Sequence, residues 1–369
     1  LVEQINSLDF RKYEVDLFLY YHGGAYFKEI SPYVNILKSS NILEIIGRTH
    51  DEAKSNKIIF IVRSIMAVLA RYMGTPILYK LILRTISFNK QYDYAISYFQ
   101  NGSLKSLYYG CNQIVLKKVR ASKKIAWIHS DYIVGKLFNH HNNNEYNQFD
   151  AVVNVTKVMK YKFDSLNIIS PAKSYCVYNR CDIKSILNKA TLANFSIRNK
   201  FRIVTIGRLE KDKGTDRLLN LALELKNKDL SFSWDFIGSG ILDNWSKSFV
   251  LKNNLEDYVY FHGKQQNVYP FIKYAHLLVS GSISETFGLS IYEALVLNTP
   301  VVAYKYEAIS ELIDNSNSCV CNDYKEIGIK IQELIINDKL YSNLKQNTKP
   351  LKNYNQINER QFDFILKTI

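Results

Sequence analysis

The 369-residue sequence lacks several things that would assign it to other classes of protein. No stretch approaches the ~20 consecutive apolar residues that a membrane-spanning helix needs. The most apolar region, Ile58–Ile86, is interrupted by Arg63, Arg71, Lys80 and Arg84 and broken at Gly74 and Pro76. No secretory signal is expected from these residues. The five cysteines, Cys111, Cys176, Cys181, Cys319 and Cys321, are scattered. Cys319 and Cys321 have one residue between them, the wrong spacing for a CxxC pair, and Cys176 and Cys181 have no second ligand pair nearby. Reduced thiols in a cytoplasmic protein are therefore expected, not a zinc site or a disulfide framework. There is no Walker phosphate loop, and GSG at 238–240 is not a complete dinucleotide fingerprint. RNA-binding aromatic motifs and zinc modules are missing too. No DxD acid pair is present, so no divalent metal is invoked.

Acidic residues are also short, 34 against 48 Lys and Arg, for a net charge of +14. The imbalance is local: residues 1–190 hold 26 basic against 14 acidic, and residues 191–369 hold 22 against 20. A basic first half suits a membrane phospholipid, a lipid-linked phosphate or a nucleic acid, and equally an ordinary basic surface. Ile58–Ile86 reads as two amphipathic helices with cations on their polar faces. Such helices either lie on an anionic membrane or pack on a sheet.

What is present is a long alternation of strand and helix signals. With 47% hydrophobic and 22% charged residues the composition is that of a globular protein, and the length calls for two domains. In the first half strands are expected at Val15–Tyr21, Tyr94–Tyr98, Lys124–Ile128, Ala151–Val155 and Ser174–Tyr178. The Asn-rich stretch at 139–147 reads as a solvated polar loop. A second series starts with FRIVTIG, Phe201–Gly207, and continues through Ser233–Gly238, Val259–Gly263, Leu277–Gly281 and VVAY, Val301–Tyr304. Helices are expected at Lys325–Ile336 and Tyr354–Ile369. Apolar strands alternating with helices make parallel sheets covered on both faces. The expected fold class is α/β, two doubly wound Rossmann-like domains facing a cleft. They span residues 1–185 and 186–352, and a helix over 353–369 crosses back to the first. Leu1–Phe10, with Val2, Ile5 and Leu8 as its stripe, reads as the end of a helix, so a first strand and its loop are expected to precede Leu1.

Three constellations carry chemistry. In IGRLEKDKGTDRLL, Ile206–Leu219, a strand ends at Gly207, Arg208 and Lys213 flank a charged loop, and Gly214 opens a helix. A strand end, two cations and a helix N-terminus together make an anion site. In SETFGLSIYEALVLNTPVVAY, Ser284–Tyr304, Glu285 and Glu293 bracket a helix start. Eight helical steps would turn ~800°, so a continuous helix would splay the two acids. The helix is therefore expected to begin near Gly288–Ser290, with Glu285 in the loop before it and free amides at Gly288, Leu289 and Ser290. In KIAWIHSDY, Lys124–Tyr132, a strand delivers His129 and Asp131 to its carboxyl end. Each feature also has a plainer reading, as a solvated loop, a dipole-complementing acid or a structural histidine.

Taken in order, WIHSDY, YNRCDI (Tyr178–Ile183), GRLEKDKG, FIGSGIL, FHGK and E-x7-E followed by TPVVAY resemble family 4 of the retaining glycosyltransferases, which have the GT-B fold. The resemblance runs over nearly the whole chain and implies the following. Arg208 and Lys213 bind the diphosphate of a UDP- or GDP-linked nucleotide-sugar and stabilise it as it leaves. Glu285 contacts the donor sugar, and amides following Thr286, through Phe287, Gly288 and Leu289, support its phosphates. Glu293 holds the ribose, while Gly238, Gly240 and the Gly263–Lys264 region flank the base. His129 lies near the transferred sugar and Asp131 near the acceptor. The resemblance further implies no cofactor, no metal and no assigned general base, and an acceptor that is a glycan or lipid-linked. Surface polysaccharide (capsule, O-antigen or lipopolysaccharide) is the expected pathway for a bacterial member, with the protein cytoplasmic or peripheral on the inner membrane face. Where the resemblance fails is at the start, because the family's first strand and glycine-rich loop are not in the sequence. Three readings compete with a transferase: an epimerase or hydrolase of the same fold, a donor-binding remnant without transfer, and a basic binding module for nucleic acid. Only the last lacks any motif, and no nucleic-acid partner is expected.

Overall fold

The computed structural model describes residues 1–369 except 25, 108, 192–199 and 314–316. Among the described residues the chain forms two compact units, one of Leu1–Arg180 with Asn355–Ile369 and one of Cys181–Tyr354. These divisions fall a few residues from the sequence expectation of 185/186 and 352/353.

The first unit contains β1 (Val15–Phe18), β2 (Val34–Leu37), β3 (Gln91–Ser97), β4 (Arg120–Ile128), β5 (Ala151–Asn154) and β6 (Ser174–Cys176). β3 to β6 form one parallel sheet in sequence order. Side chains alternate across it, as the two-residue period of a strand requires. Ala126 and Ile128 join Val152 and Phe163 on one face. Ile125 and Trp127 join Val153 on the other, where Phe362 and Ile365 of the last helix, Tyr354–Thr368, cover them. β1 and β2 pair only with each other, as a separate parallel sheet. The strands of this unit are thus divided between two parallel sheets. Side chains join the two sheets, with the Tyr92 hydroxyl of β3 donating to Asp16 of β1 at 2.7 Å.

The stretch at 139–147 corrects a sequence expectation. His140–Tyr146 is a helix, and Asn139 caps it by accepting from the Asn142 amide at 3.0 Å. Asn142 and Glu145 are buried. Glu145 accepts from Asn101 at 2.6 Å and Gln113 at 2.8 Å and contacts His141 at 3.0 Å. Polar residues tolerate burial when partners satisfy them, and two of these partners, Asn101 and Gln113, lie more than thirty positions from Glu145 in the sequence.

The second unit is a six-stranded parallel sheet built from β7 (Phe201–Ile206), β8 (Phe232–Ile237), β9 (Val259–Phe261), β10 (Leu277–Ser280), β11 (Val301–Tyr304) and β12 (Cys319–Cys321). Its order is β12-β11-β10-β7-β8-β9. The chain winds outward in one direction from β7 and in the other from β10. The boundary between these strands is thus a topological switch point, where ligands bind outside the carboxyl ends in such sheets. Trp234, Phe236, Leu277 and Val279 anchor the core under the helices Thr215–Asn227 and Tyr324–Ile336. β12 has no counterpart in the sequence reading. It is three residues long, too short for alternation to register.

Candidate active site

The loops after β7 and β10 meet at the switch point. Ile283 donates its amide to the Asp212 carbonyl at 3.0 Å. Gly214, at φ +72°, packs so closely on Gly281 that a Cβ would stand 2.3 Å from that carbonyl oxygen. No side chain fits there. This seam sets Lys213 against Glu285, with Nζ 2.6 Å from Oε1 and both side chains about three-quarters buried. Arg208 stands on the same loop and is more exposed. It pairs with Glu210 and, at 3.4 Å, with Asp212.

A second close contact shapes the site. Gly207 donates to the Ile237 carbonyl at 3.0 Å, Leu209 to Ser239 at 3.2 Å, and Gly238 to Gly263 at 2.9 Å. The loops after β7, β8 and β9 are therefore laced together by backbone. Gly238 and Gly240 are where they touch, since a Cβ on either would lie 1.8 or 2.4 Å from a backbone oxygen of the β7 loop. This packing role was not legible in the sequence, which suggested only that these glycines flank a base. Lys264 is exposed beyond Gly263.

The helix after β10 runs Leu289–Val296 with Gly288 as its cap at φ +86°. It begins within the expected window, so Glu285 precedes it and Glu293 lies inside it, half-buried. The Gly288, Leu289 and Ser290 amides have no partner among the described residues. They are the orphan donors of a helix start. Thr286 is half-buried. The Phe287 side chain is buried against the Tyr354 ring, 5.8 Å between centroids, so its side chain positions the loop.

Tyr306 is a site residue the sequence reading missed. It donates its hydroxyl to the Phe287 carbonyl at 3.2 Å and sits beneath Gly288, where a Cβ would meet it at 2.3 Å. Burial pushes its phenol far up, with the Glu285 charge adding. It is therefore a neutral donor at all working pH. The only sequence signal was its place shortly after a buried strand.

In the first unit, His129 follows β4 at the sheet's carboxyl end. Its backbone amide donates to Gln100, and its Nε2 lies 2.9 Å from the Tyr98 carbonyl. A carbonyl can only accept, so the proton is on Nε2 and the lone pair on Nδ1. Burial pushes its pKa down to about 4, against the pull of that hydrogen bond. A depressed histidine means the unfolded chain takes up a proton first. Stability is then complete above the unfolded value near 6.5 and falls as pH drops toward 4. We expect urea unfolding to show a loss of as much as about 3 kcal/mol between pH 7 and pH 4 from this group. His129→Gln should flatten that slope, and an unchanged slope would assign the acid sensitivity elsewhere.

Asp131 is committed to local structure. Its Oδ1 accepts from the Ile133 and Val134 amides at 2.9 and 3.0 Å, and its Oδ2 pairs with Lys162 at 2.7 Å. Burial opposes its ionisation, but Lys162 and the two amides outweigh it and hold the carboxyl below its usual range.

Residues 192–350 match the family model for glycosyl transferases group 1. Over 220 residues the chain is 27% identical to a poly(ribitol-phosphate) alpha-N-acetylglucosaminyltransferase of Staphylococcus aureus, covering 55% of this chain and 43% of that protein. The crystal structure of a glycosyltransferase from Rickettsia africae matches at TM-score 0.64 and 14% identity, over 100% of this chain and 93% of its own. Anabaena HepE in complex with UDP-glucose matches at TM-score 0.52 and 19% identity, over 67% of this chain and 70% of its own. The chain spans about half the length of the curated relatives it matches, 54% of one and 43% of another. The two parallel α/β units make this a GT-B fold.

Proposed function

We propose that the protein is a retaining glycosyltransferase of family 4 type that uses a nucleotide-sugar donor. The observation that carries this reading is the Lys213–Glu285 pair at the switch point of the second sheet, with the orphan amides of Gly288–Ser290 following it. A cation beside an acid, followed by a helix N-terminus, suits a ligand that is both anion and polyol. Lys213 and Arg208 would take the diphosphate. Glu285 would accept hydrogen bonds from the sugar and Glu293 from the ribose. The glycosidic bond to the diphosphate breaks, the acceptor oxygen bonds to the sugar's anomeric carbon, and the acceptor proton passes to the departing phosphate. The cations and amides act by stabilising charge on the leaving oxygen. No step needs a metal or a cofactor. His129, with its Nδ1 lone pair, is assigned a hydrogen bond to the transferred sugar. Asp131 is assigned the job of holding the His129 loop on the acceptor side.

UDP is the favoured carrier because the Anabaena protein binds UDP-glucose. The acceptor is assigned as a glycan or lipid-linked glycan of cell-surface polysaccharide, made in the cytoplasm. The Staphylococcus relative acts on a poly(ribitol-phosphate), and the five free thiols suit a reducing compartment.

Calorimetric titration with UDP and with GDP tests the donor site. One nucleotide is expected to bind, at least tenfold more weakly in Arg208→Ala and in Glu293→Ala. Absence of binding to a folded protein would sink the reading. Binding without sugar transfer to any acceptor would leave a donor-binding remnant in its place.

A further inference from the structure

A chain of charged side chains crosses the second sheet, and the transfer reaction described above makes no use of it. Arg202 on β7 and Asp235 on β8 are both buried, with Nε 2.7 Å from Oδ2. The other oxygen of Asp235, Oδ1, lies 2.6 Å from Nε2 of His262, the residue after β9. Burial opposes ionisation of Asp235, but His262 and Arg202 outweigh it and hold the carboxyl below its usual range. A carboxylate can only accept, so the imidazole proton is on Nε2. Arg202 supplies the counter-charge of the buried carboxylate, and Asp235 asks only a hydrogen bond of His262. In the neutral ring Nδ1 is then a lone pair, an acceptor of fixed direction.

That acceptor has no partner among the described residues. The residue around it is nevertheless well held. Its backbone amide donates to the Phe236 carbonyl at 3.0 Å, and its ring meets the Phe271 ring of the short helix Tyr269–Lys273 at 4.8 Å between centroids. The side chain is 27% exposed. Next to it, a Cβ on Gly263 would meet nothing within 4 Å. A fixed, unpaired acceptor with open space beside it suits a ligand that donates.

Its place in the sheet says which part of the ligand that is. The β9 loop is joined to the donor site by backbone, since Gly263 accepts from Gly238 and the β8 loop is bound to that of Arg208. β9 stands two strands from β7, about 10 Å, a distance that a nucleoside diphosphate spans. The helix that carries Glu293 packs on the helix that carries Phe271. With the diphosphate at Arg208 and Lys213 and the ribose at Glu293, the base falls to the β9 loop. We propose that His262 is a specificity-determining residue that reads the nucleobase, its Nδ1 accepting from a ring N–H, N3–H of uracil or N1–H of guanine. The inference rests on the donor reading given under Proposed function. Asp235 and Arg202 act through His262, as positioning residues that fix its tautomer and its direction.

Calorimetry with UDP and N3-methyl-UDP, and with GDP and N1-methyl-GDP, tests it in the unaltered protein. The methylated form of the nucleotide that binds is expected to bind at least tenfold more weakly, because the N–H is gone and Nδ1 is left unpaired. His262→Ala should weaken the unmethylated form about tenfold and bring the two forms within about threefold of each other, since it removes the acceptor and makes room for the methyl. Arg208→Ala, placed at the phosphates, should weaken both forms alike and keep their ratio. A thermal melt shows whether His262→Ala is folded, and the comparison within the parent protein does not depend on it. Equal binding of the two forms by the parent would overturn the proposal. So would discrimination that survives in His262→Ala, which would give the reading of the base to another group. Failure of UDP and GDP alike to bind would bring down the donor reading and this inference with it, whereas binding without discrimination brings down this inference alone.

Discussion

Lys213→Ala is expected to lower kcat for donor cleavage by about 10²–10³-fold, read as nucleotide released from the nucleotide-sugar. Lys213 is held in place before any donor arrives, because its ammonium sits 2.6 Å from Glu285 and the Gly214–Gly281 seam fixes the loop that carries it. A preorganised cation of this kind spends no reorganisation energy when charge develops on the leaving phosphate, and that is where its rate effect comes from. Removal has a second consequence. Glu285 is left unpaired and three-quarters buried beside an incoming dianion, so nucleotide affinity falls as well. Pairing Lys213→Ala with Glu285→Gln separates the two effects. The double variant should recover nucleotide affinity relative to the single one, as the repulsion is gone, and should not recover kcat. A kcat for Lys213→Ala within threefold of the parent would remove this residue from the chemistry.

The sequence carried the strands and loops that build this site, because each is a local pattern. Apolar runs ending in glycine located β7, β8 and β10, and the 800° argument placed the helix start near Gly288–Ser290, where it begins at Leu289. What it could not carry was pairing at a distance. Lys213 and Glu285 are 72 positions apart, and both were singled out, but nothing local says that they touch. Nothing local says that Asp131, placed near the acceptor by the resemblance, pairs through one oxygen with Lys162 on a later helix and through the other with two amides. The Asn-rich helix His140–Tyr146 looked like a loop for the same reason, since the partners that license its buried Asn142 and Glu145 come from other elements. The helix Lys57–Met73 shows the reverse limit. Its amphipathic period was legible, but which of its apolar residues would stay in water depended on how the helix was seated.

Gly238→Ala is expected to destabilise the second unit by about 3 kcal/mol, and to lower its melting temperature by roughly 6–12 °C. The cause is a collision between backbones. At φ +144° a Cβ on Gly238 would lie 1.8 Å from the Gly207 carbonyl oxygen. Neither strand end can retreat cheaply, because Gly207 donates to Ile237 and Gly238 donates to Gly263, so relief means breaking one of those bonds. Gly263→Ala supplies the control. It also has a left-handed φ, +64°, but nothing lies within 4 Å of its added Cβ. Only the conformational cost applies there, about 1 kcal/mol. The difference between the two variants therefore measures the contact and not the loss of glycine. If Gly238→Ala folds after the loops part, Arg208 moves with its loop, and nucleotide affinity should drop in that variant. Equal melting temperatures for the two alanine variants would mean that the loops after β7 and β8 are not locked together, and that the donor site is organised by the Lys213–Glu285 seam alone.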